Sequence, residues 1–173
     1  MAVEDQLLGW YICGFRGGVG WDRIGQRLTI TDRTVFKLAF KTHRIGAPPP
    51  ASTITFTIRK TIGDAILASK LWGAAEDVPA VETWLEVTWD IPVYVNEGVR
   101  LLMEWGGPLG NAGRLAFFAT TPSVKAGENV TRYTAGAYSG EAVAWDATYS
   151  YTYDLPLGMK GLGLGAMAKM VGV

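Results

Sequence analysis

The sequence contains very few of the residue types from which catalytic and metal sites are built. Cys13 is its only cysteine and His43 its only histidine, which excludes an intrachain disulfide and a cysteine-based zinc cluster. A catalytic triad would have to use His43, and no glycine-flanked serine motif lies near it. We therefore interpret Cys13 as a small apolar residue and His43 as a side chain at the end of a strand.

A charge imbalance and long apolar runs are lacking as well. Sixteen basic residues balance sixteen acidic ones, and no block of like charge is present that would bind nucleic acid or an anionic membrane. No run of about eighteen apolar residues indicates a transmembrane helix. Glu4 and Asp5 stand where a signal peptide carries basic residues, so we expect synthesis in the cytoplasm. Neither nucleic acid nor a membrane is expected as a partner.

What the chain does have is apolar, aromatic and glycine residues. Hydrophobic residues make up 49% of the 173 residues and aromatic residues 12%, and there are 22 glycines. This composition excludes disorder for most of the length and suits a turn-rich β-protein. The length predicts one domain with appendages.

Apolar and polar residues alternate in several short runs. Because successive side chains of a strand point to opposite faces, such runs predict half-buried antiparallel strands. The predicted inward residues are Phe36, Leu38 and Phe40, then Ile54, Phe56 and Ile58, then Leu85, Val87, Trp89 and Ile91, and then Val99, Leu101, Met103 and Trp105. Tyr149, Tyr151 and Tyr153 are predicted to share one face of a further strand.

Turn residues divide these runs. We predict separate strands at 21–30 and 35–41, a proline loop at 45–52, and a hairpin turn at Asn96 to Gly98 between strands 83–91 and 99–105. The spacing predicts about eight or nine strands. The predicted fold class is therefore all-β, a jelly-roll-like antiparallel β-sandwich at residues 21–155, with an N-terminal arm or first strand at 1–20 and a C-terminal arm at 156–173.

The predicted C-terminal arm, residues 156–173, differs in composition from the rest of the chain. Its only charges are Lys160 and Lys169, and glycines recur among apolar residues. Such a segment cannot form a core of its own and is too apolar for a solvated tail, so we predict that it contacts a neighbouring molecule. The predicted assembly contacts are Leu157, Met159, Leu162, Leu164, Met167, Met170 and Val171.

Several sequence blocks follow one another in the order RIGAPPP, TITFTIRKTIGDAILAS, WLEVTWDIPVYVNEGVRLLMEW, RYTAGAYSG and WDATYSYTYDL. Over Gln26 to Asp154 this order resembles the jelly-roll accessory domains of phage tail and other structural proteins and of bacterial carbohydrate-associated proteins. In those domains, strands corresponding to Trp84–Pro92 and Val99–Trp105 are joined by a turn ending in a glycine, here Gly98. The missing secretion signal and the C-terminal arm, which lies outside the resemblance, favour the virion branch.

Two groups of acidic residues have side chains of the type found in catalytic pairs or in calcium sites. Glu86 and Asp90 share the outer face of one predicted strand, where they would lie about 13 Å apart, too far for a catalytic pair. We interpret them as solvated charges. Asp64, Glu76 and Asp77 are loop acids with the hard oxygens that calcium prefers, but the sequence alone does not bring them together. No catalytic residue, metal or cofactor is predicted.

Exposed aromatic residues provide the alternative to an assembly role. By its position in the alternation, Trp84 points away from the inward Leu85 and Val87, and it either faces a partner or packs against the loop at 73–79. Trp72 is a further candidate for a surface aromatic contact. Such side chains stack on sugar rings in carbohydrate-binding modules.

The expected function is therefore a non-enzymatic virion structural protein, a capsid-decoration or tail component that acts through protein contacts. The expected partners are copies of itself, for example in a trimer, and a major capsid or tail protein. It would be made in the host cytoplasm and located in the virion. The alternative is a carbohydrate-binding or adhesion module that recognises cell-surface glycans.

Overall fold

The structure is a computed structural model that describes residues 1–15, 22–108, 113–139, 141 and 145–154, with the backbone alone at residues 11–15. Antiparallel strands make up nearly all regular structure in these ranges, and the only helical element there is a 3-10 turn at Ala75–Asp77. The predicted fold class, an all-β antiparallel sandwich, is confirmed. The predicted domain boundaries remain predictions, and the C-terminal arm lies outside the described residues.

The strands form one hydrogen-bonded sheet that folds over on itself. The eleven strands of the described chain are β1 (Ala2–Gln6), β2 (Trp10–Phe15), β3 (Arg23–Gly46), β4 (Thr53–Lys60), β5 (Ile66–Ala74), β6 (Thr83–Gly106), β7 (Gly113–Thr120), β8 (Asn129–Thr134), β9 (Ala137–Ser139), β10 (Asp146–Ala147) and β11 (Tyr149–Asp154). The main path of the sheet runs β1-β11-β3-β6-β4-β5. Beside this path, β7 pairs with β2, β3 and β10, and β8 pairs with β3 and β9.

Two strands of 24 residues, β3 and β6, hold the two layers together. They pair antiparallel along most of their length, with register shifts between Ile30 and Arg33 and between Val35 and Lys37. At the first shift Asp32 adopts a φ of 53°, as expected where a bulge bends a strand. The other edge of β3 pairs first with β8, then with β11 and finally with β7. β3 therefore changes its second neighbour twice along its length, and β6 has β4 as a second neighbour over Val99 to Gly106.

The predicted hairpin at Asn96 to Gly98 is wrong. The segments predicted as two strands are the two halves of β6, and Gly98 pairs with Thr29 within the ladder. A Cβ at Gly98 would lie 2.8 Å from the hydroxyl of Thr61, so this glycine lies in a close contact within the sheet and not in a turn. Likewise, the strands predicted at 21–30 and 35–41 are one bent strand, β3. The hairpin that supported part of the resemblance is therefore not present.

The core lies between the layers and is built mainly from the predicted inward residues. Phe40 of β3 contacts Phe56 of β4 and Phe117 of β7, with ring centres 5.9 and 5.5 Å apart. Ile91 is a wrong prediction, because its side chain is 83% exposed where β6 bends. Phe36 is only half-buried, since the bulge after Val35 resets the alternation. The predicted residues that are buried include Leu38, Phe40, Ile54, Phe56, Ile58, Leu85, Val87, Trp89, Val99, Leu101, Met103, Trp105, Tyr149 and Tyr151.

Candidate functional site

A row of arginines crosses the outer face of three strands. Arg27 of β3, Arg100 of β6 and Arg59 of β4 occupy the same register position, an arrangement that is destabilising unless the charges are neutralised. Glu141 lies 2.6 Å from Arg100 Nε and 3.7 Å from Arg27 Nε. Glu104 lies 2.6 Å from Arg59 Nε. Each arginine of the row is therefore paired with a carboxylate.

The β8–β9 hairpin covers this arginine row with two tyrosine rings. The guanidinium of Arg23 lies 4.0 Å from the ring centre of Tyr133, and that of Arg100 lies 3.9 Å from the ring centre of Tyr138. Arg23 also pairs with Asp64 at 2.8 Å, and the Tyr138 hydroxyl donates to Asp64 at 2.7 Å. Cation–π contacts and charge-assisted hydrogen bonds thus fasten the hairpin to the sheet.

The protonation states in this cluster suit a structural role. Burial acts to raise the pKa of Asp64, but hydrogen bonds from Tyr138 and Arg23 outweigh it and lower the pKa below its usual range. For Glu141, burial is likewise outweighed by hydrogen bonds from Arg100 and Thr131, and the pKa is lowered. Burial and the bond to Asp64 raise the pKa of Tyr138 to about 12. The two acids are therefore charged and the phenol is protonated at neutral pH.

A second polar cluster lies beneath the loop at residues 121–128. The Tyr149 hydroxyl donates to Glu128 at 2.6 Å, while Lys125 Nζ lies 3.2 Å from that hydroxyl and 3.3 Å from Glu4. Burial raises the pKa of Glu128; for Glu4, hydrogen bonds from Arg33 and Tyr151 outweigh burial and lower the pKa. Two carboxylates with pKa values moved apart resemble an acid–base pair. Here, however, Tyr149 and Lys125 bridge them, and the fully buried Tyr149 ties the loop to β1 and β11.

Asp146 anchors the same loop from below. Its carboxylate is fully buried and accepts hydrogen bonds from the backbone N–H groups of Val124 and Lys125 at 2.6 and 2.8 Å. It also accepts from the Ser123 hydroxyl at 2.9 Å and from the Gln26 amide at 3.0 Å. These four donors satisfy the hydrogen-bonding capacity of the buried Asp146 carboxylate, so we assign it a structural role.

A groove of about 480 Å³ lies between β5 and the bend of β6 and is a candidate binding site. Trp89 is 5% exposed, and its indole Nε1 is buried with no hydrogen-bond partner among the described residues. An ion pair between Lys70 and Asp90 links β5 to β6 at the groove, with Nζ and Oδ1 2.5 Å apart. The groove, as we use the name, is lined by Leu67, Ala68, Ser69, Lys70, Trp89, Asp90, Ile91, Pro92, Val93 and Tyr94.

Apolar side chains are also exposed along the N-terminal edge of the sheet. Val3, Leu7, Leu8 and Trp10 have exposed fractions of 59%, 60%, 63% and 60%. Val3 belongs to β1, Leu7 and Leu8 follow it, and Trp10 begins β2; in the described part of the chain β1 pairs with β11 only and β2 with β7 only. We call these four residues the apolar edge. Exposed apolar groups beside an open strand edge are a typical site of association.

The two residues predicted from the sequence as aromatic contacts differ in exposure and lie on different strands. Trp84 is 40% exposed on the outer face of β6, opposite Lys41 of β3. Trp72 is half-buried in β5 and packs against the core. The seven predicted assembly contacts between Leu157 and Val171 lie outside the described residues, so their role stays a prediction.

The residues considered for catalysis and calcium are also separated. The His43 ring packs against Phe118, with ring centres 5.6 Å apart. Asp64 is held by arginines, whereas Glu76 and Asp77 are exposed on the 3-10 turn. Across the ranges that the structure describes, no group of three or more His, Cys, Asp or Glu residues could hold a metal ion. The side chain of Cys13 is not among those described.

Comparison with known proteins does not assign the chain to a family. No protein-family model matches the chain, and no curated protein matches it. In the described ranges, no helix is long and apolar enough to cross a membrane.

The groove and the arginine row were not predicted from the sequence. Each is formed by strands that are distant in the chain and become neighbours only in the sheet. A partial signal exists for the row, because Arg59 occupies an outward position of a strand that was predicted correctly. The apolar edge has a clearer signal, since Leu7, Leu8 and Trp10 are apolar residues next to the acidic Glu4 and Asp5.

Proposed function

We propose that this protein is a non-enzymatic structural component of a virus particle of the phage type, either a capsid-decorating protein or part of a tail. It acts by binding copies of itself and a major capsid or tail protein. The observation that carries the proposal is the apolar edge: Val3, Leu7 and Leu8 are exposed on or just after β1, which pairs on one side only within the described chain, and Trp10 is exposed at the start of β2.

The physical argument concerns burial and backbone pairing together. The free edge of β1 offers N–H and C=O groups to a partner strand, and the adjacent apolar side chains lose contact with water when a partner binds. Burial of apolar surface contributes about 25 cal/mol per Å² before the entropy cost of association is subtracted. The neutral net charge adds little repulsion between copies.

The positions of the polar side chains support a structural role. Asp64, Glu104 and Glu141 pair with arginines of the row, and Asp146 binds backbone N–H groups of a loop. Each of these carboxylates stabilises a particular contact between strands or loops. We therefore assign them to the fold rather than to a reaction.

The test is the oligomeric state in solution. Sedimentation of the wild-type chain over a range of concentrations is expected to show a defined oligomer. The double variant Val3→Lys, Leu8→Lys is expected to shift it to monomer, because two charges at the edge cannot be buried in a contact. Val81→Lys is the matched control, since Val81 is 71% exposed in a loop away from β1. A wild-type chain that is monomeric at every concentration would contradict the proposal.

A carbohydrate-binding module is the second candidate, and Trp84 is the observation that favours it. Its exposed ring lies on the outer face of β6 beside the ion pairs Lys37–Glu86 and Lys41–Glu82. An aromatic surface flanked by polar groups suits a sugar ring. Retention on immobilised polysaccharides tests this candidate: Trp84→Ala is expected to abolish retention, whereas Trp10→Ala, which removes a ring that is 60% exposed on β2, is expected to leave it unchanged.

A further inference from the structure

We propose that β1 of one copy pairs antiparallel with β1 of a second copy, about a two-fold axis that passes between the two Val3 residues. The sheets of the two copies then continue as one sheet across the contact. This inference rests on the proposed function, because it names the surface, the symmetry and the register through which one copy binds another.

The first argument is the regularity of β1. Its five residues pair with Tyr149 to Tyr153 of β11 one by one, without a register shift. In the described chain β1 has no second neighbouring strand, so the N–H and C=O groups on its other side are available to an added strand. Edges that resist such addition often carry a bulge, a proline or a lysine, and β1 has none of the three.

β5, at the opposite end of the main path, suits an added strand less well. Its pairing with β4 shifts register twice, after Ile54 and after Ile58. An ion pair between Lys70 of β5 and Asp90 of β6 also lies at this strand. Irregular pairing of this kind disrupts the ladder that a partner strand would extend. The regular edge of β1 is therefore best matched by a second copy of the same edge.

The side chains of β1 divide between a face that is held by the fold and a face that is open. Glu4 accepts a hydrogen bond from the Tyr151 hydroxyl at 3.0 Å, and Gln6 is buried. Val3 and Asp5 alternate with them and are exposed. The open face of β1 therefore presents one apolar side chain and one carboxylate to a partner.

The open faces of two copies come together in only one of the two possible two-fold arrangements. An axis normal to the sheet makes the two β1 strands antiparallel and keeps both open faces on the same side. An axis along the strands makes them parallel and turns one sheet over, so that the two Val3 side chains would point to opposite sides of the joined sheet. Burial of the apolar side chains thus favours the antiparallel pair, which is a closed contact.

Like charges select the register of this pair. An axis normal to the sheet places one residue directly opposite its own copy. With Glu4 or Asp5 on the axis, two carboxylates would oppose each other, which is destabilising. With Val3 on the axis, the two valines contact each other, and Asp5 lies opposite the exposed Met1 of the second copy. An axis at either end of β1 would leave most of the strand without a partner.

The experiment measures the register with disulfides between full-length chains. Every chain carries Cys13→Ser, and in addition Val3→Cys, Asp5→Cys or, as the control for random collision, Ser139→Cys on β9, where the serine is exposed. Directly opposite Cα atoms lie about 4.5 to 5.5 Å apart, within the reach of a disulfide, whereas the two residues at position 5 would lie about 13 Å apart. Oxidation followed by non-reducing electrophoresis is expected to give about ten-fold more dimer with Val3→Cys than with either of the other two variants.

Three outcomes would overturn the inference. More dimer with Asp5→Cys than with Val3→Cys would place the axis at Asp5. Dimer that forms mainly in a mixture of Val3→Cys and Asp5→Cys chains, told apart by a mass tag, would place the axis at Glu4. Equal yields from all variants, including Ser139→Cys, would show that β1 is not a contact. The substituted side chains are exposed, and circular dichroism of each variant checks that it is folded.

Failure of this inference and failure of the proposed function are distinguishable. Oligomers in sedimentation without the Val3→Cys disulfide would leave the assembly role standing and remove the β1 pair as its contact. A monomer at every concentration, again without the disulfide, would remove both.

Discussion

At the scale of single residues, the alternation of side chains accounts for the core better than for the surface clusters. Leu101 is fully buried, whereas Glu86 on the opposite face of β6 is half-exposed and pairs with Lys37. Residue 100 breaks the simple pattern, since Arg100 is buried on the outer face beneath Tyr138. The outer face of a strand is therefore not a solvent face wherever another element covers it.

The first prediction compares the two faces of β6. Leu101→Ala is expected to lower the free energy of unfolding by about 2 to 5 kcal/mol, because it leaves a cavity in a packed core. Glu86→Ala is expected to change it by less than about 1 kcal/mol, as an exposed ion pair contributes little. Chemical denaturation of both variants measures the difference. Equal losses would show that the assigned faces are wrong.

The second prediction concerns Asp146. Asp146→Ala is expected to lower the free energy of unfolding by about 3 to 5 kcal/mol, because two backbone N–H groups lose their acceptor in a buried position. Asp146→Asn, which keeps one acceptor oxygen, is expected to lose less. Asp77→Ala, at an exposed acid on the 3-10 turn, is the control. Denaturation midpoints that do not separate these variants would contradict the anchoring role.

At the scale of elements, the β8–β9 hairpin is held to the sheet mainly by charge and aromatic contacts. Arg23 and Arg100 stack on its tyrosines, and Asp64 bonds to Tyr138 from the turn between β4 and β5. Contacts of this kind depend on the protonation of the carboxylates. The stability of the hairpin should therefore depend on pH.

The third prediction gives the direction of that dependence. The pKa of Asp64 is lowered in the folded chain, so its contribution to stability is present above the ordinary carboxyl pKa of about 4 and is lost as the pH falls through the lower folded value. Asp64→Asn is expected to flatten the acid side of a plot of unfolding free energy against pH, and Asp77→Asn is expected to leave it unchanged. An identical acid slope in wild type and Asp64→Asn would refute this role.

At the scale of the whole molecule, two long bent strands decide both the shape and the candidate surfaces. The main path of the sheet, in which β3 and β6 are central, ends at β1 and at β5 within the described chain. The apolar edge lies at one of them and the groove at the other. A chain with one binding surface at each end of its sheet can in principle join copies in a closed ring or an extended array.

The fourth prediction concerns removal of residues 156–173. The described residues bury a large apolar core among themselves, so we expect the truncated chain to melt at the same temperature as the full chain. Its self-association is expected to weaken, since the apolar side chains of the segment no longer contact a neighbour. Calorimetry and sedimentation measure the two properties. Unfolding on truncation would show that the segment belongs to the core, and unchanged association would exclude it as an assembly contact.

The sequence by itself determined the strands and their faces, because the two-residue period of side chains is a local property. It predicted Ile54, Phe56 and Ile58 inside, and they are buried. Only the tertiary structure decided that β6 continues through residues 96–98, where a hairpin was predicted. Glycine, asparagine and proline suit a turn and a bend equally, and the outcome depends on which distant strand pairs with each side.

Register was decided by the tertiary structure for the same reason. Arg27, Arg59 and Arg100 are far apart in the chain and become neighbours only through the pairing of β3, β4 and β6. The groove likewise exists because β5 ends the sheet next to the bend of β6. Hydrophobic alternation specifies which face of a strand is buried, but the strand that lies beside it is set by contacts between residues that are remote in sequence.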